Sequence, residues 1–213
     1  TPNEMINEVY SVPNSENLTN LVFMGMGEPL NNFDSVMKTI EILTADYGLG
    51  WSPKRITLST IGIIPSLKRF LDESQCHLAL SLHSPFSSQR LELMPIEKVY
   101  NATDIIELLH EYDWSRQRRL SFEYIMFDGL NDSLIFAREM TKILDGLDCR
   151  INLIRFHKIP GSDLAPATEE NMIKFRDFLT SKGFTCTIRA SRGEDIYAAC
   201  GMLSTKKESE SKR

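Results

Sequence analysis

Several short stretches carry side chains able to do chemistry. Gly25-Met26-Gly27-Glu28-Pro29 sets a carboxylate beside a glycine turn. Glycines let a ligand approach the backbone closely, and a carboxylate there suits an ammonium group. Ser59 and Thr60 offer adjacent hydroxyls, and Ser81-Leu82-His83 adds a hydroxyl and an imidazole. Glu123 stands inside an otherwise apolar run, and Asn152 precedes His157 in the next such run. Near the end, Arg189 and Arg192-Gly193-Glu194-Asp195 lead to Ala199-Cys200-Gly201. Cys200 has small neighbours that leave it accessible, and a nearby arginine would favour its thiolate, the nucleophilic form.

Each residue also has a structural explanation. The two glycines suit a tight strand-to-helix turn, and without a third they form no dinucleotide-binding fingerprint. A lone cysteine is most often a small buried hydrophobe. Taken singly, the structural explanation weighs more for the glycine turn, for His83 and for Cys200. Helix capping and ligand contact weigh equally for Ser59 and Thr60. Glu123 would ordinarily be paired with an arginine. Cys76, Cys149 and Cys186 read as core residues.

The elements that must hold these groups alternate regularly. Hydrophobic period and turn signals predict strands at 18–24, 54–60, 77–82, 120–127, 150–156 and 184–189. Helices are expected at 2–10, from Asn32 or Asp34 to about 45, at 63–73, 101–113, 133–145 and 168–182. Alternating strands and helices imply a parallel sheet of right-handed βαβ units. Ligands in such folds bind at the carboxyl ends of the strands, where the groups named above fall. A chain of 213 residues is short for a complete eight-fold barrel of about 250. It also opens on a helix with no strand before it, so the reading expects an upstream strand and loop. Residues 1–203 are expected to form the core, with a charged, disordered tail at 204–213.

Composition narrows the function classes. The net charge is −5, so the whole chain lacks the basic footprint of a nucleic-acid binder. Local charge differs: Arg116, Arg118 and Arg119 cluster, as do basic residues in the tail. None of the four cysteines has C-x-x-C spacing, so no zinc or cluster motif is visible. Apolar runs are too short for a membrane span. A reduced, cytoplasmic setting and a monomer are expected.

The ordered set NLVFMGMGEPL, RITLSTIGIIPSL, LALSLHSP, INLIRFHKIPG and TIRASRGEDIYAACGML resembles the RlmN/Cfr family of radical-SAM RNA methyltransferases, over nearly the whole chain. The resemblance implies an α/β fold, a partial (βα)6-type radical-SAM barrel truncated at its N-terminal strand. It implies S-adenosylmethionine and a [4Fe–4S] cluster as cofactors, the cluster held by a C-x-x-x-C-x-x-C motif upstream. Gly27 and Glu28 would meet the methionine end of the cofactor, and Ser59, Ser81, Leu82 and His83 the rest. His157 stands where many members have asparagine at a cofactor contact. Cys200 matches the methyl-carrying cysteine. The implied activity is methylation of adenine carbon 2 in 23S rRNA and some tRNAs, the RlmN-like side of the family, with an electron donor such as flavodoxin. A chain lacking the cluster motif is expected to be inactive alone. Competing readings are an aldolase- or isomerase-like barrel enzyme, which needs a strand-end lysine or a phosphate loop, and a non-catalytic RNA-binding module, which needs a basic face with exposed aromatics.

Overall fold

The computed structural model describes residues 1–190 except 26, 117 and 159–161. Six strands are present among them: β1 Leu21–Phe23, β2 Ile56–Thr60, β3 His77–Ser81, β4 Leu120–Met126, β5 Cys149–Arg155 and β6 Thr185–Ile188. Every pairing is parallel, and the spatial order is β1-β2-β3-β4-β5-β6. The helices are α1 Pro2–Ser11, α2 Phe33–Thr44, α3 Ile64–Glu73, α4 Ser87–Leu93, α5 Ala102–His110, α6 Leu134–Ile143 and α7 Glu169–Ser181. Sequential order with right-handed crossovers places consecutive helices on one side of the sheet.

Side-chain alternation divides the sheet into two chemically different faces. Leu58, Leu78, Leu80, Phe122, Tyr124, Ile151 and Leu153 are fully buried and form the helix-facing side. Helix residues at i, i+3, i+4 spacing pack onto it, such as Leu67, Phe70 and Leu71 of α3 and Met172, Phe175 and Leu179 of α7. Most alternate positions are polar; Ala79, Ile125 and Ile154 are not. Register aligns Ser81, Glu123, Asn152 and Thr187 in one row across four adjacent strands.

The sheet is curled. Five strand-to-strand steps of about 4.8 Å would put the ends of β1 and β6 roughly 24 Å apart if it were flat. Yet Nη1 of Arg189, just past β6, lies 3.6 Å from Sδ of Met24, just past β1. An arginine side chain bridges the remaining gap only if the polar face is concave. The result is an open partial barrel, as the family resemblance implies.

Two differences from the sequence pattern have physical causes. The first strand is shorter than 18–24, because Arg55 takes the backbone carbonyls before it: Nε donates to Thr19 at 2.6 Å and Nη2 to Leu18. Helix α4 went unforeseen, since its run Ser87–Leu93 is polar and bracketed by Pro85 and Pro95. It is organised by Arg90, which is fully buried. Its guanidinium pairs with Glu97 and donates at 3.2 Å to the carbonyls of Ile61, Ser81 and Leu82. Glu97 in turn accepts from the backbone N–H of Ala102 at the start of α5.

Replacing Arg90 by Met leaves a buried, uncompensated Glu97. We expect a loss of about 3–5 kcal/mol in urea unfolding. The double variant Arg90→Met/Glu97→Leu should recover part of that loss. An Arg90→Met protein as stable as the wild type would show that the pair carries no net stabilisation.

Candidate functional site

The glycine turn follows β1. Gly25 and Gly27 have φ of 141° and 83°, conformations that L side chains rarely adopt. A Cβ built on either meets no atom within 4 Å, so conformation and not crowding selects glycine, and the space beside the turn is open. A cavity of about 530 Å³ lies there, with Met24, Gly25, Gly27, Glu28 and Asn32 among its lining residues. That volume falls within the range of small-molecule sites.

Glu28 is held by the chain itself. Its carboxylate accepts from the Thr60 hydroxyl at 2.6 Å, from the Ile61 N–H at 2.9 Å and from the Leu30 N–H at 3.1 Å. The Thr60 hydroxyl also accepts from Gly62 N–H at 3.0 Å. Thr60 is therefore engaged in structure, and its side chain fixes the glycine turn to the end of β2. Its neighbour Ser59 differs. The hydroxyls of Ser59 and Ser81 have no hydrogen-bond partner among the described residues, and both side chains belong to the polar face. Neither hydroxyl caps the next helix, whose N-cap is Ile63 with no side-chain cap bond; Thr60 instead braces the glycine turn, and Ser59 has no side-chain partner among the described residues.

His83 has φ of 57°, a left-handed conformation more tolerable for histidine than for bulky or branched residues. Its Nδ1 accepts from the Ile125 N–H at 3.1 Å, which leaves the proton of the neutral ring on Nε2. Burial and the positive charge of Arg90 lower its pKa to about 4, so the ring is neutral at physiological pH. Leu82 is buried in the helix-facing layer and donates its N–H to Glu123 O at 3.0 Å. Asn131, fully buried, donates to the His83 and Ile125 carbonyls at 2.9 and 2.8 Å and accepts from Phe127 N–H at 2.7 Å. Sequence reasoning gave Asn131 no role. Its one signal was a polar residue in the tight Asp128–Asp132 turn after β4.

The polar row converges on Glu123. Thr187 donates to Asn152 Oδ1 at 2.8 Å, and Asn152 Nδ2 donates to Glu123 Oε1 at 2.7 Å. Ser121 donates to the same oxygen at 3.1 Å. Arg189 Nη1 lies 3.7 Å from Oε2, an ion pair rather than a hydrogen bond. Oε2 is buried and without a hydrogen-bond partner. The arginine expected for Glu123 is present, but it leaves one oxygen unmet. Burial pushes the Glu123 carboxyl up, while Asn152, Arg189 and Ser121 pull it down less strongly.

His157 lies two residues past β5 and is partly buried. Lys158, the strand-end lysine an aldolase reading would use, is exposed. Cys76, Cys149 and Cys186 are buried free thiols, as expected of core cysteines. Burial raises all three, Cys149 and Cys186 to about 12, which makes them unreactive. Among the described residues no cluster of three or more His, Cys, Asp or Glu side chains is placed to hold a metal ion. No helix among them is long and apolar enough to cross a membrane. Cys200, the Arg192–Asp195 run and the 204–213 tail lie outside the described residues.

A raised folded-state pKa at Glu123 gives a definite sign. The folded protein holds this proton more tightly than the unfolded chain, so stability falls as pH rises from 4.5 through the folded value. Glu123→Gln should remove that falling component. Urea unfolding across pH 4–8 checks it, and an unchanged pH profile would mean the carboxyl titrates normally.

The Radical SAM superfamily profile matches residues 1–136. A probable dual-specificity RNA methyltransferase RlmN from Bacteroides fragilis is 62% identical over 213 residues, all of this chain and 62% of that protein. The dual-specificity RNA methyltransferase RlmN of Syntrophus aciditrophicus is 42% identical over 197 residues, 92% of this chain and 57% of that protein. The chain thus spans about three-fifths of the length of such relatives. Among solved structures, a radical SAM methyltransferase from Sphaerobacter thermophilus superposes with a TM-score of 0.83 at 36% identity, covering 93% of this chain and 57% of that one. A domain of pyruvate-formate lyase-activating enzyme from Bacteroides vulgatus, 17% identical with a TM-score of 0.58, shares the fold over 80% of this chain and 99% of that one.

Proposed function

The chain belongs to the Radical SAM superfamily, and from that premise we propose that its polar concave face is the S-adenosylmethionine end of an RNA (adenine-C2) methyltransferase acting on 23S rRNA and some tRNAs. Support for the substrate comes from the relatives' names and from an identity of 62% that runs the whole length of this chain. The observation that carries the cofactor reading is the pair of hydroxyls without partners among the described residues, Ser59 and Ser81, on the polar face near the carboxyl ends of adjacent strands.

The residues present fit the cofactor. The turn at Gly27 is open to a ligand, and Glu28 presents an anchored carboxylate to an ammonium group. Ser59 and Ser81 supply hydroxyls, the 81–83 segment lines the strand end, and His83 offers a neutral donor. His157 adds a second imidazole beyond β5. When bound, S-adenosylmethionine supplies the methyl group and the adenosyl group of the family's chemistry. A [4Fe–4S] cluster does not fit the described residues, because their buried thiols lie in separate strand segments and are held protonated. In this reading the family's cluster ligands come from a separate C-x-x-x-C-x-x-C motif.

In this reading the Cys200 sulfur would accept the methyl group of S-adenosylmethionine, with the S–methyl bond of the sulfonium broken and S-adenosylhomocysteine as the leaving group. The resulting methyl thioether would face the adenine ring. A thiolate is the form able to accept the methyl group, and Arg189 and Arg192 are the nearby sequence cations that favour it. Neutral His83 and the ordered backbone around it hold the cofactor end without bringing a further positive charge beside a sulfonium. The protein works in the cytoplasm as a monomer and takes electrons from a flavodoxin-like donor.

The test is expression of the full-length protein, anaerobic reconstitution and mass spectrometry for 2-methyladenosine in 23S rRNA. Cys200→Ala should abolish product and keep cofactor binding. Retained product would remove Cys200 from this role. Ser59→Ala and Ser81→Ala should each weaken S-adenosylmethionine binding roughly 2- to 10-fold, the worth of one hydrogen bond. Unchanged binding in both would place the cofactor elsewhere.

A further inference from the structure

The opposite mouth of the partial barrel carries a different chemistry. A cavity of about 330 Å³ opens at the amino ends of the strands. Its lining includes Lys54 before β2, His77 opening β3, Arg119 before β4 and Arg150 in β5, together with Arg116. Asp148 is the single acid among the lining residues. The whole chain carries −5, so this concentration of cations runs against its overall charge.

These cations divide into engaged and available. Arg118, also in the lining, is buried and donates to the Leu71 carbonyl at 2.7 Å and to the Ser74 carbonyl. It is part of the fold. Arg116 pairs with Asp113 at 3.4 Å, both largely exposed. Lys54, Arg119 and Arg150 are exposed, and their side chains have no ion pair or hydrogen bond among the described residues. His77 Nδ1 accepts from the Arg119 N–H at 3.0 Å, which assigns the proton of the neutral ring to Nε2. Burial lowers the His77 pKa first, and then the positive charges of Arg119, Lys54 and Arg150 lower it further. The three free cations therefore act on one shared space.

Three exposed cations gathered with one acid, Asp148, among the lining residues repel one another, so an anion stabilises this arrangement. Several features favour an extended polyanion over a single small ion. The free cations come from three separate segments, they end long flexible side chains, and they are exposed. A small-anion cradle would instead be enclosed and built on backbone N–H groups at a helix start.

We infer that this basic mouth docks the phosphodiester backbone of the RNA substrate, at the end of the strands opposite the cofactor. The inference rests on the RNA reading above. The seven residues of β4 span about 23 Å at ~3.3 Å each, so the two mouths are separate sites that one folded RNA can touch together. Contacts of this kind position the nucleic acid and carry no base information.

The experiment uses the full-length protein and the triple variant Lys54→Gln/Arg119→Gln/Arg150→Gln, with a 23S rRNA fragment and tRNA as probes. Binding is measured against salt concentration. The log–log slope should drop by about 2 to 3, roughly one per lost phosphate contact. KM for RNA should rise about 10-fold or more, while kcat at saturating RNA and S-adenosylmethionine affinity stay unchanged. Far-ultraviolet circular dichroism and thermal unfolding check that the variant folds. Wild-type RNA binding that the folded triple variant keeps, slope included, overturns the inference. Inorganic phosphate serves as the second probe. If it raises the wild-type melting temperature and not the variant's while RNA binding is unchanged, the cavity is a small-anion site and the inference is overturned. A wild-type protein that binds no RNA sinks the substrate reading and this inference with it.

Discussion

The carboxyl ends of β2 and β3 depend on one buried guanidinium. Parallel strands that stop leave their last carbonyls without a ladder partner, and burying them unmet is costly. Arg90 meets the carbonyls of Ile61, Ser81 and Leu82 with one planar fork, while Glu97 balances its charge. Glu97 also ties the start of α5 to the same point. The positions of Ser81 and His83 are therefore set from behind by an ion pair that touches no ligand. A lysine would not replace it, since an ammonium lacks the fixed fork that spans two strand ends. The same guanidinium helps keep His83 neutral. Structure and site electrostatics are thus coupled through one side chain.

The two faces of the sheet follow from the period of a strand. Alternation puts leucines under the helices and Ser, Thr, Asn and Glu on the concave side. This polar face is tolerated because its groups bond to one another, Thr187 to Asn152 and Asn152 to Glu123. Curling brings Arg189 close to Glu123 and Met24, so residues far apart in sequence share one trough. Charge then differs between the two mouths. The carboxyl end holds the carboxylate of Glu28, and the amino end gathers Lys54, Arg119 and Arg150.

The strand order and every helix but α4 were legible in the sequence because strand and helix periods differ and turn or cap residues bound most of them. Asn101 accepts from Asp104 N–H at the start of α5, and Thr168 from Asn171 N–H at the start of α7, as capping chemistry requires. The glycine turn was legible as a conformational requirement, and both glycines do have positive φ. What was not legible depends on long-range partners. Arg90 sits in a polar run that reads as solvent-facing, and nothing local says that its partners are Ile61 and Ser81. Thr60 and Ser59 are indistinguishable hydroxyls until Glu28, 32 residues before Thr60, claims one of them. Arg55 shortens β1 from 36 residues away, by the same kind of contact.

Among the described residues two buried carboxylate oxygens lack hydrogen-bond partners, Glu97 Oε1 and Glu123 Oε2, for different reasons. Glu97 is compensated through its other oxygen, which meets both Arg90 and the Ala102 N–H. Its environment is closed, and removing water from it serves the fold. Glu123 has no such closure. Its counter-ion stands at 3.7 Å, with 43% of the arginine side chain exposed, so the attraction is weakened by solvent. Its other oxygen is already fixed by Asn152 and Ser121, which prevents the group from turning to find a better partner. A carboxyl held this way favours its proton more than an ordinary one. It lies in the same row as Ser81, whose hydroxyl has no partner among the described residues, and opposite it in register. Among the described residues, a buried oxygen and a neighbouring hydroxyl thus both lack partners, and stability alone gives no reason to keep such a pair.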